Sequence, residues 1–190
     1  MKNPDPAAQP TSAPTQPRLP PLETLNRLPA AAFADALRPL FEAAAPLASA
    51  LMAARPFATY GQLIEQAERL AGHLSADQQV ELLNAHPRIG ERPAVVRARS
   101  QLSFREQGYD TEDPAQVQHV YAELERLNAA YEQRFGFRFV AFVNRRPKSA
   151  MLEVLRARLD NPAAQERQTG LGELFAIARD RLRLLEASAD

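Results

Sequence analysis

The spacing of apolar side chains along this 190-residue chain predicts an all-α fold, a single multi-helix domain crossed by one short extended segment. Large hydrophobic residues recur three and four positions apart over most of the sequence, the period of a helix with one buried face. Glycines number only seven, while Ala, Leu, Arg, Glu and Gln, all good helix formers, are abundant. Residues 137–143 are the one run with strand-like aromatic and β-branched content, too short and isolated to build a sheet.

The elements follow in order. Residues 1–21 are rich in Pro, Ala, Ser, Thr and Gln and poor in large apolar side chains, so they cannot offset their own ordering entropy and read as a disordered arm. Leu25, Leu28, Phe33, Leu37 and Phe41 form one stripe, continued by Leu47, Leu51 and Met52 until Arg55-Pro56 forces a break. Thr59 caps a helix through Leu63, Ile64, Ala67, Leu70 and Leu74. Ser75 restarts one through Val80, Leu82, Leu83 and Ala85, which Pro87 stops, leaving His86 at a helix C-terminus. Pro93 to Gln107 reads as one helix ended by Gly108, and Pro114 to Arg134 as a long one closed by Gly136. Phe137 to Val143 crosses the core extended. Ser149 then caps a helix through Met151, Leu155 and Leu159, and Asn161-Pro162 opens the last, through Leu171, Leu174, Ile177, Leu182 and Leu185. The domain is expected over residues 22–187, without internal repeats.

Charge bounds the function. Lys plus Arg and Asp plus Glu are both 23, so no net field draws in nucleic acid or an anionic membrane, and neither is expected as a partner. The absence of cysteine removes disulfides, thiolate catalysis and cysteine metal sites. With no signal-like N-terminus and no long apolar run, the cytoplasm is the expected location, and the Ala/Arg/Pro-rich composition suggests a bacterium with a GC-rich genome.

Chemistry gathers in two boxes seventeen residues apart, His86-Pro87-Arg88-Ile89-Gly90 and Ser103-Phe104-Arg105-Glu106-Gln107. Together they offer an imidazole, a hydroxyl, a carboxylate and an amide, an acid/base set without a metal. Each has a bland reading beside the functional one. His86 either rests against the carbonyl end of its helix or is projected by Pro87 into a cleft, where that helix end would favour the protonated, acidic form. Ser103-x-x-Glu106 matches a capping box, yet a helix from Pro93 to Gln107 would put Ser103, Glu106 and Gln107 on one face at i, i+3 and i+4. His73 and His119 lack metal-ligand spacing to His86 and are expected at the surface. Arg179, Arg181 and Arg183 alternate by two on a helix, so they cannot share a face and one is free to turn inward. Phe135-Gly136-Phe137-Arg138-Phe139 is expected in the core, and the extended backbone that follows must find helix-side partners or point at a ligand.

Taken together, these boxes resemble the 2-oxo-4-hydroxy-4-carboxy-5-ureidoimidazoline (OHCU) decarboxylases of urate breakdown. The likeness spans roughly Leu22 to Leu185. It includes Leu25-Asn26, Phe33, Phe41-Glu42, Arg55-Pro56-Phe57, the His86 and Ser103 boxes, Phe135-Gly136-Phe137-x-Phe139-Val140, Arg146-Pro147-Lys148 and Ile177-Ala178-Arg179-Asp180-Arg181-Leu182. The departures are an aromatic replaced around Pro46-Leu47 and Arg88 where many members carry Asp, a change that bears on contacts at the rim.

The resemblance implies an all-helical homodimer that decarboxylates OHCU to (S)-allantoin without a cofactor. His86 and Glu106 would move protons. Pro87, Ser103, Gln107, the backbone of Phe139, Val140, Ala141, Phe142 and Val143, and Arg181 would bind substrate, with Arg181 orienting its carboxylate or the oxygen that gains charge. A cofactor is not required by the chemistry, because the substrate's own imine accepts the electron pair that departing carbon dioxide leaves behind. Two other classes compete: a non-catalytic helical binding or regulatory module, and, more remotely, a helix-turn-helix DNA binder without the usual basic stripe.

Overall fold

The computed structural model describes residues 17–42, 44–109 and 114–187, without the side chains of 114–117. Ten helices lie within them: α1 Leu22–Arg27, α2 Ala30–Phe41, α3 Ala45–Ala53, α4 Tyr60–His73, α5 Ala76–Asn84, α6 Pro93–Arg99, α7 Gln101–Glu106, α8 Pro114–Phe135, α9 Lys148–Leu159 and α10 Ala163–Ala187. No strand occurs among the described residues.

The long α10 is the axis of the molecule. It packs on α2, α4 and α5, α3 fills the space beside α2, α4 and α5, and α8 pairs with α9 on the other flank. The stripes seen in the sequence supply this core: Leu25, Phe33, Leu37, Leu47, Leu51, Leu63, Leu82, Leu124, Leu155 and Leu174 are all buried. At the α1 end, Asn26 exchanges two hydrogen bonds of 2.9 Å with the Phe57 backbone. Arg55 donates to the carbonyls of Asn26 and Leu28 and lies over the Phe33 ring, beside the cis Arg55-Pro56 bond. Leu25-Asn26, Phe33 and Arg55-Pro56-Phe57 therefore serve the fold.

Several helix starts differ from the sequence expectation. The stripe expected to continue until Arg55-Pro56 is divided into α1, α2 and α3, with breaks at Leu28-Pro29 and at Glu42. The segment from Pro93 to Gln107 is broken at Ser100, which is extended (φ −155°, ψ 115°) and whose Oγ accepts from the Ser103 N–H at 3.1 Å. Serine satisfies an orphan N–H at a helix start better than it serves a helix interior, so the chain turns there and α7 begins afresh. Likewise α9 begins at Lys148 after Pro147, and the exposed Ser149 does not cap it. At the N-terminus, Leu19 packs against the core and Tyr60 Oη donates to the Pro20 carbonyl at 2.7 Å, so the domain's contacts start before Leu22. The rest of the expected arm, residues 1–16, lies outside the described residues.

After a bend at Gly136 and Phe137, residues 138–143 cross the interior as the extended segment, with Phe137, Phe139, Val140, Ala141 and Val143 buried. The Tyr131 ring meets Phe137 and Phe139 edge-on. The turn that carries His86 docks on α8 from the other side: Asn128 Nδ2 donates to the Ile89 carbonyl at 2.9 Å, and Gly90 sits at φ 80°. A Cβ on Gly90 would fall 2.7 Å from Leu124 Cδ1, so this glycine supplies both a backbone conformation and a close approach.

Gly90→Ala is therefore expected to cost about 2–4 kcal/mol, from overpacking plus left-handed backbone strain, and to lower Tm by roughly 4–16 °C. Gly136→Ala, at φ 79° with open space around it, should cost only the backbone part. Thermal unfolding of the two variants side by side checks the difference.

Candidate active site

Three parts of the chain meet beneath α10. The turn after α5 brings His86, Pro87 and Ile89. Helix α7 brings Ser103, Glu106 and Gln107, and the extended segment brings residues 139–143. With Ile177 of α10 they enclose a cavity of about 30 Å³, the share of one water molecule in the liquid. Every site residue expected from the sequence lies in this wall except Arg181. Ile89 and Ile177 also line it; both belong to boxes noted in the sequence, Ile177 on the apolar face of the last helix, but neither is assigned a site role there. Glu106 and Phe142 also line an outer groove of about 270 Å³, so they stand between the cavity and solvent.

Arg181 lies behind the wall, fully buried, with its guanidinium already occupied. Nε donates to Glu106 Oε1 at 2.7 Å and Nη2 to Glu106 Oε2 at 3.0 Å, a bidentate pair. Nη2 also donates to Ser103 Oγ at 2.7 Å and lies 2.8 Å from Glu42 Oε1. Ser103 Oγ in turn donates to Glu42 Oε1 at 2.9 Å. Of the three alternating arginines only this one turns inward; Arg179 pairs with Glu68 and Arg183 with Asp180 at the surface.

Glu42 had no role assigned from the sequence beyond its place beside Phe41. It ends α2 at φ 59°, ψ −150°, a conformation that glycine adopts freely and other residues only under strain, of order 1–3 kcal/mol. Burial works to raise its carboxyl pKa, but Arg181 first, then His86, Ser100 and the Arg181 hydrogen bond, hold it below the ordinary carboxylate value. The end of α2 thus delivers a buried, charged carboxylate to the back of the site.

His86 is only 4 % exposed, and neither ring nitrogen has a partner with good hydrogen-bond geometry among the described residues, although the Leu82 carbonyl lies close enough to act on the ring. Burial drives its pKa down to about 4, Arg181 and Arg138 push the same way, and Glu42 and the Leu82 carbonyl oppose them. The imidazole is therefore neutral at neutral pH. This corrects the expectation, drawn from the helix end alone, of a protonated acid: loss of solvent and two nearby cations outweigh a local dipole. Gln107 Oε1, also in the wall, is likewise unpartnered.

The extended segment is held by side chains where a sheet would supply backbone. Arg138 N–H donates to Asn84 Oδ1, and the Arg138 guanidinium to the carbonyls of Asn84 and His86. Arg158 donates to the Val140 carbonyl at 2.7 Å, and Phe142 N–H to Glu173 Oε2 at 2.6 Å. Arg158 is itself fixed by Glu166, which also accepts from Tyr131 and Asn161. Among the described residues the N–H groups of Val140 and Ala141 have no such partner, which leaves them for a ligand. Lys148 holds the other edge by donating to the Gln107 carbonyl at the end of α7. Arg88, flagged as a departure at the rim, points away to Glu132 on α8 at 2.7 Å. His73 and His119 are exposed, and no cluster of possible metal ligands occurs among the described residues.

A small cavity lined by a buried imidazole, a carboxylate held on a buried guanidinium and backbone amides without a partner among the described residues defines the polar site of an all-helical protein. The chain belongs to the OHCU decarboxylase family, whose model matches residues 26–183. It is 32% identical over 161 residues to the 2-oxo-4-hydroxy-4-carboxy-5-ureidoimidazoline decarboxylase of Haloferax volcanii, covering 85% of this chain and 93% of that protein. Among solved structures, an (S)-allantoin synthase superposes with a TM-score of 0.59 at 25% identity, over 86% of this chain and 53% of the other. An OHCU decarboxylase crystallised in the presence of (S)-allantoin superposes at 0.62 and 23% identity, over 82% and 99%, and shares the fold.

The depressed His86 pKa fixes the sign of one pH effect. The unfolded chain binds a proton on this ring near its ordinary value of 6.5, the folded one only near 4, so the stability it contributes is present above 6.5 and lost as pH falls through that window. Urea unfolding should show wild-type stability dropping by about 2 kcal/mol from this group between neutral pH and pH 5. The drop should be much smaller in His86→Asn; equal slopes in the two would assign the loss elsewhere.

Proposed function

We propose that this protein decarboxylates 2-oxo-4-hydroxy-4-carboxy-5-ureidoimidazoline to (S)-allantoin in urate degradation, with His86 and Glu106 as its proton-handling groups. Family membership supports the reaction. The observation that carries the site is the convergence on one small cavity of His86, without a side-chain partner, and Glu106, which Arg181 holds from behind the wall.

The chemistry needs little else from the protein. The pair from the breaking carbon–carboxylate bond enters the adjacent imine, whose nitrogen takes up a proton while carbon dioxide leaves. The enol-like intermediate then gives up its hydroxyl proton and gains one on the neighbouring carbon, and the face of that delivery sets the configuration of allantoin. A neutral imidazole has both a lone pair to accept the hydroxyl proton and an N–H to orient its oxygen. Glu106 occupies the wall next to the groove and handles the second proton.

Ser103, Gln107, Pro87 and the backbone of Phe139, Val140, Ala141, Phe142 and Val143 would read the ring and ureido group. The unpaired Val140 and Ala141 amides and Gln107 Oε1 supply both donors and an acceptor for that purpose. With its guanidinium already bound by two carboxylates, Arg181 would orient the substrate carboxylate only after Glu106 gives way. The same reading makes residues 22–187 the catalytic domain, with an N-terminal arm ahead of it, and the packing of Leu19 and Pro20 favours a boundary slightly earlier. It extends to a homodimer acting in a bacterial cytoplasm; resemblance supports the first and composition the second.

The test is circular dichroism of allantoin formed from substrate generated in situ from urate. Wild type should give a fast rise of one enantiomer, His86→Ala and Glu106→Ala should be slower by about 10²–10⁴-fold, and Arg183→Ala, at the surface, should match wild type. Slow racemic product from wild type would favour the alternative of a binding or regulatory module.

A further inference from the structure

Glu42 is not in the cavity wall, yet it is tightly constrained behind it. It is 8 % exposed, its backbone sits in a region that favours glycine, and its carboxylate both meets Arg181 and accepts from Ser103. A residue serving only to end α2 would not need that backbone conformation, since glycine would adopt it without strain. A carboxylate is what glycine lacks.

The geometry of Arg181 says what the carboxylate does. Three oxygens, from Glu42, Ser103 and Glu106, crowd Nη2, which carries two hydrogens. The two carboxylates differ in freedom. Glu42 is tied at the end of α2 by Arg181 and Ser103 together, whereas Glu106 is the more exposed partner, at 15 % against 7 %, and lines both the cavity and the outer groove. If Glu106 were the sole counterion, turning it toward a ligand would leave a buried guanidinium uncompensated, and it would stay where it is. With Glu42 in place, the guanidinium remains neutralised and aimed while Glu106 moves.

We infer that Glu42 is a positioning residue for the reaction, the fixed counterion that holds Arg181 and Ser103 in place so that Glu106 can leave the guanidinium and act on the substrate. This rests on the decarboxylase reading above. It assigns the two acidic partners of one arginine different duties: Glu42 anchors and Glu106 works. Because Glu42 does not line the cavity, its loss acts only through Arg181, Ser103 and Glu106 and should fall mainly on the chemical step.

Two variants test it. Glu42→Gln keeps the side chain's shape and an oxygen for Ser103 but removes the charge. Glu42→Gly relieves the backbone and removes the side chain, so a folded protein is available even if the amide is poorly accommodated. Steady-state kinetics on the in situ substrate, with active protein counted by its folded fraction, should show kcat reduced by about 10–100-fold in both variants, within the range of lost transition-state contacts. KM should stay within about threefold of wild type.

A merely structural Glu42 would lower Tm and leave kcat per folded molecule unchanged, which would overturn the proposal. A rise in KM at constant kcat would overturn it too, by making Glu42 a binding determinant. The wild-type control separates the two levels of inference. An inactive wild type removes the decarboxylase reading and this role with it, whereas an active wild type with unaffected variants removes only the role.

Discussion

The buried guanidinium of Arg181 is the constraint around which the rest of the site is arranged. A charge taken wholly out of water is tolerated only where other groups replace its hydration with good geometry. The replacements come from two other parts of the chain, the end of α2 and helix α7, so α2, α7 and α10 must converge on one point. Two local oddities follow from that demand. Glu42 accepts a strained backbone because the carboxylate must leave the end of α2 toward α10. The helix begun at Pro93 is broken at Ser100 so that α7 can present Ser103 and Glu106 to the same arginine.

A second buried arginine organises the opposite wall. Arg158 is 7 % exposed, lies over the Phe139 ring and joins the Val140 carbonyl to Glu166, which is itself fully buried and shared with Tyr131 and Asn161. Buried ion pairs of this kind add little net stability over apolar packing, but they are stringent about position. Position is what an extended segment without a sheet requires: a ladder would have occupied its N–H groups, whereas side-chain tethers at the Arg138 and Phe142 amides and the Val140 carbonyl leave the amides of Val140 and Ala141 open. The aromatic cluster of Tyr131, Phe135, Phe137 and Phe139 supplies the burial that keeps the segment in place.

Much of this was legible in the sequence. Periodicity located the helices, and proline and glycine their ends, because those signals act within a turn or two of the chain. His86, Ser103, Glu106 and Gln107 could be nominated because polar groups in compact boxes stand out against an apolar pattern. What escaped depends on distance along the chain. Glu42 reaches Ser103 across 61 positions, and Glu106 reaches Arg181 across 75, and no local pattern marks such partners. The Ser100 break escaped because a serine three residues before Ser103 competed with a plausible continuous helix. The charge state of His86 escaped for a different reason: the helix end is a property of its neighbours in sequence, while desolvation and the two arginines are properties of the folded interior.

The saturation of Arg181 also bears on how a decarboxylase can use an arginine. A guanidinium free to clamp the substrate carboxylate would stabilise most strongly the charge that the reaction removes, and would oppose the step. Here two carboxylates already face one guanidinium, so the carboxylate of the proposed substrate would arrive as a third anion near a single buried cation. That crowding is relieved as carbon dioxide departs uncharged and the electron pair spreads over the ring. In the proposed reaction, the interactions that remain available, from His86, the amides of the extended segment and Gln107, would act on the hydroxyl, ring and ureido atoms that persist into the product. The arrangement therefore holds the part of the ligand that stays and gives little support to the charge that leaves.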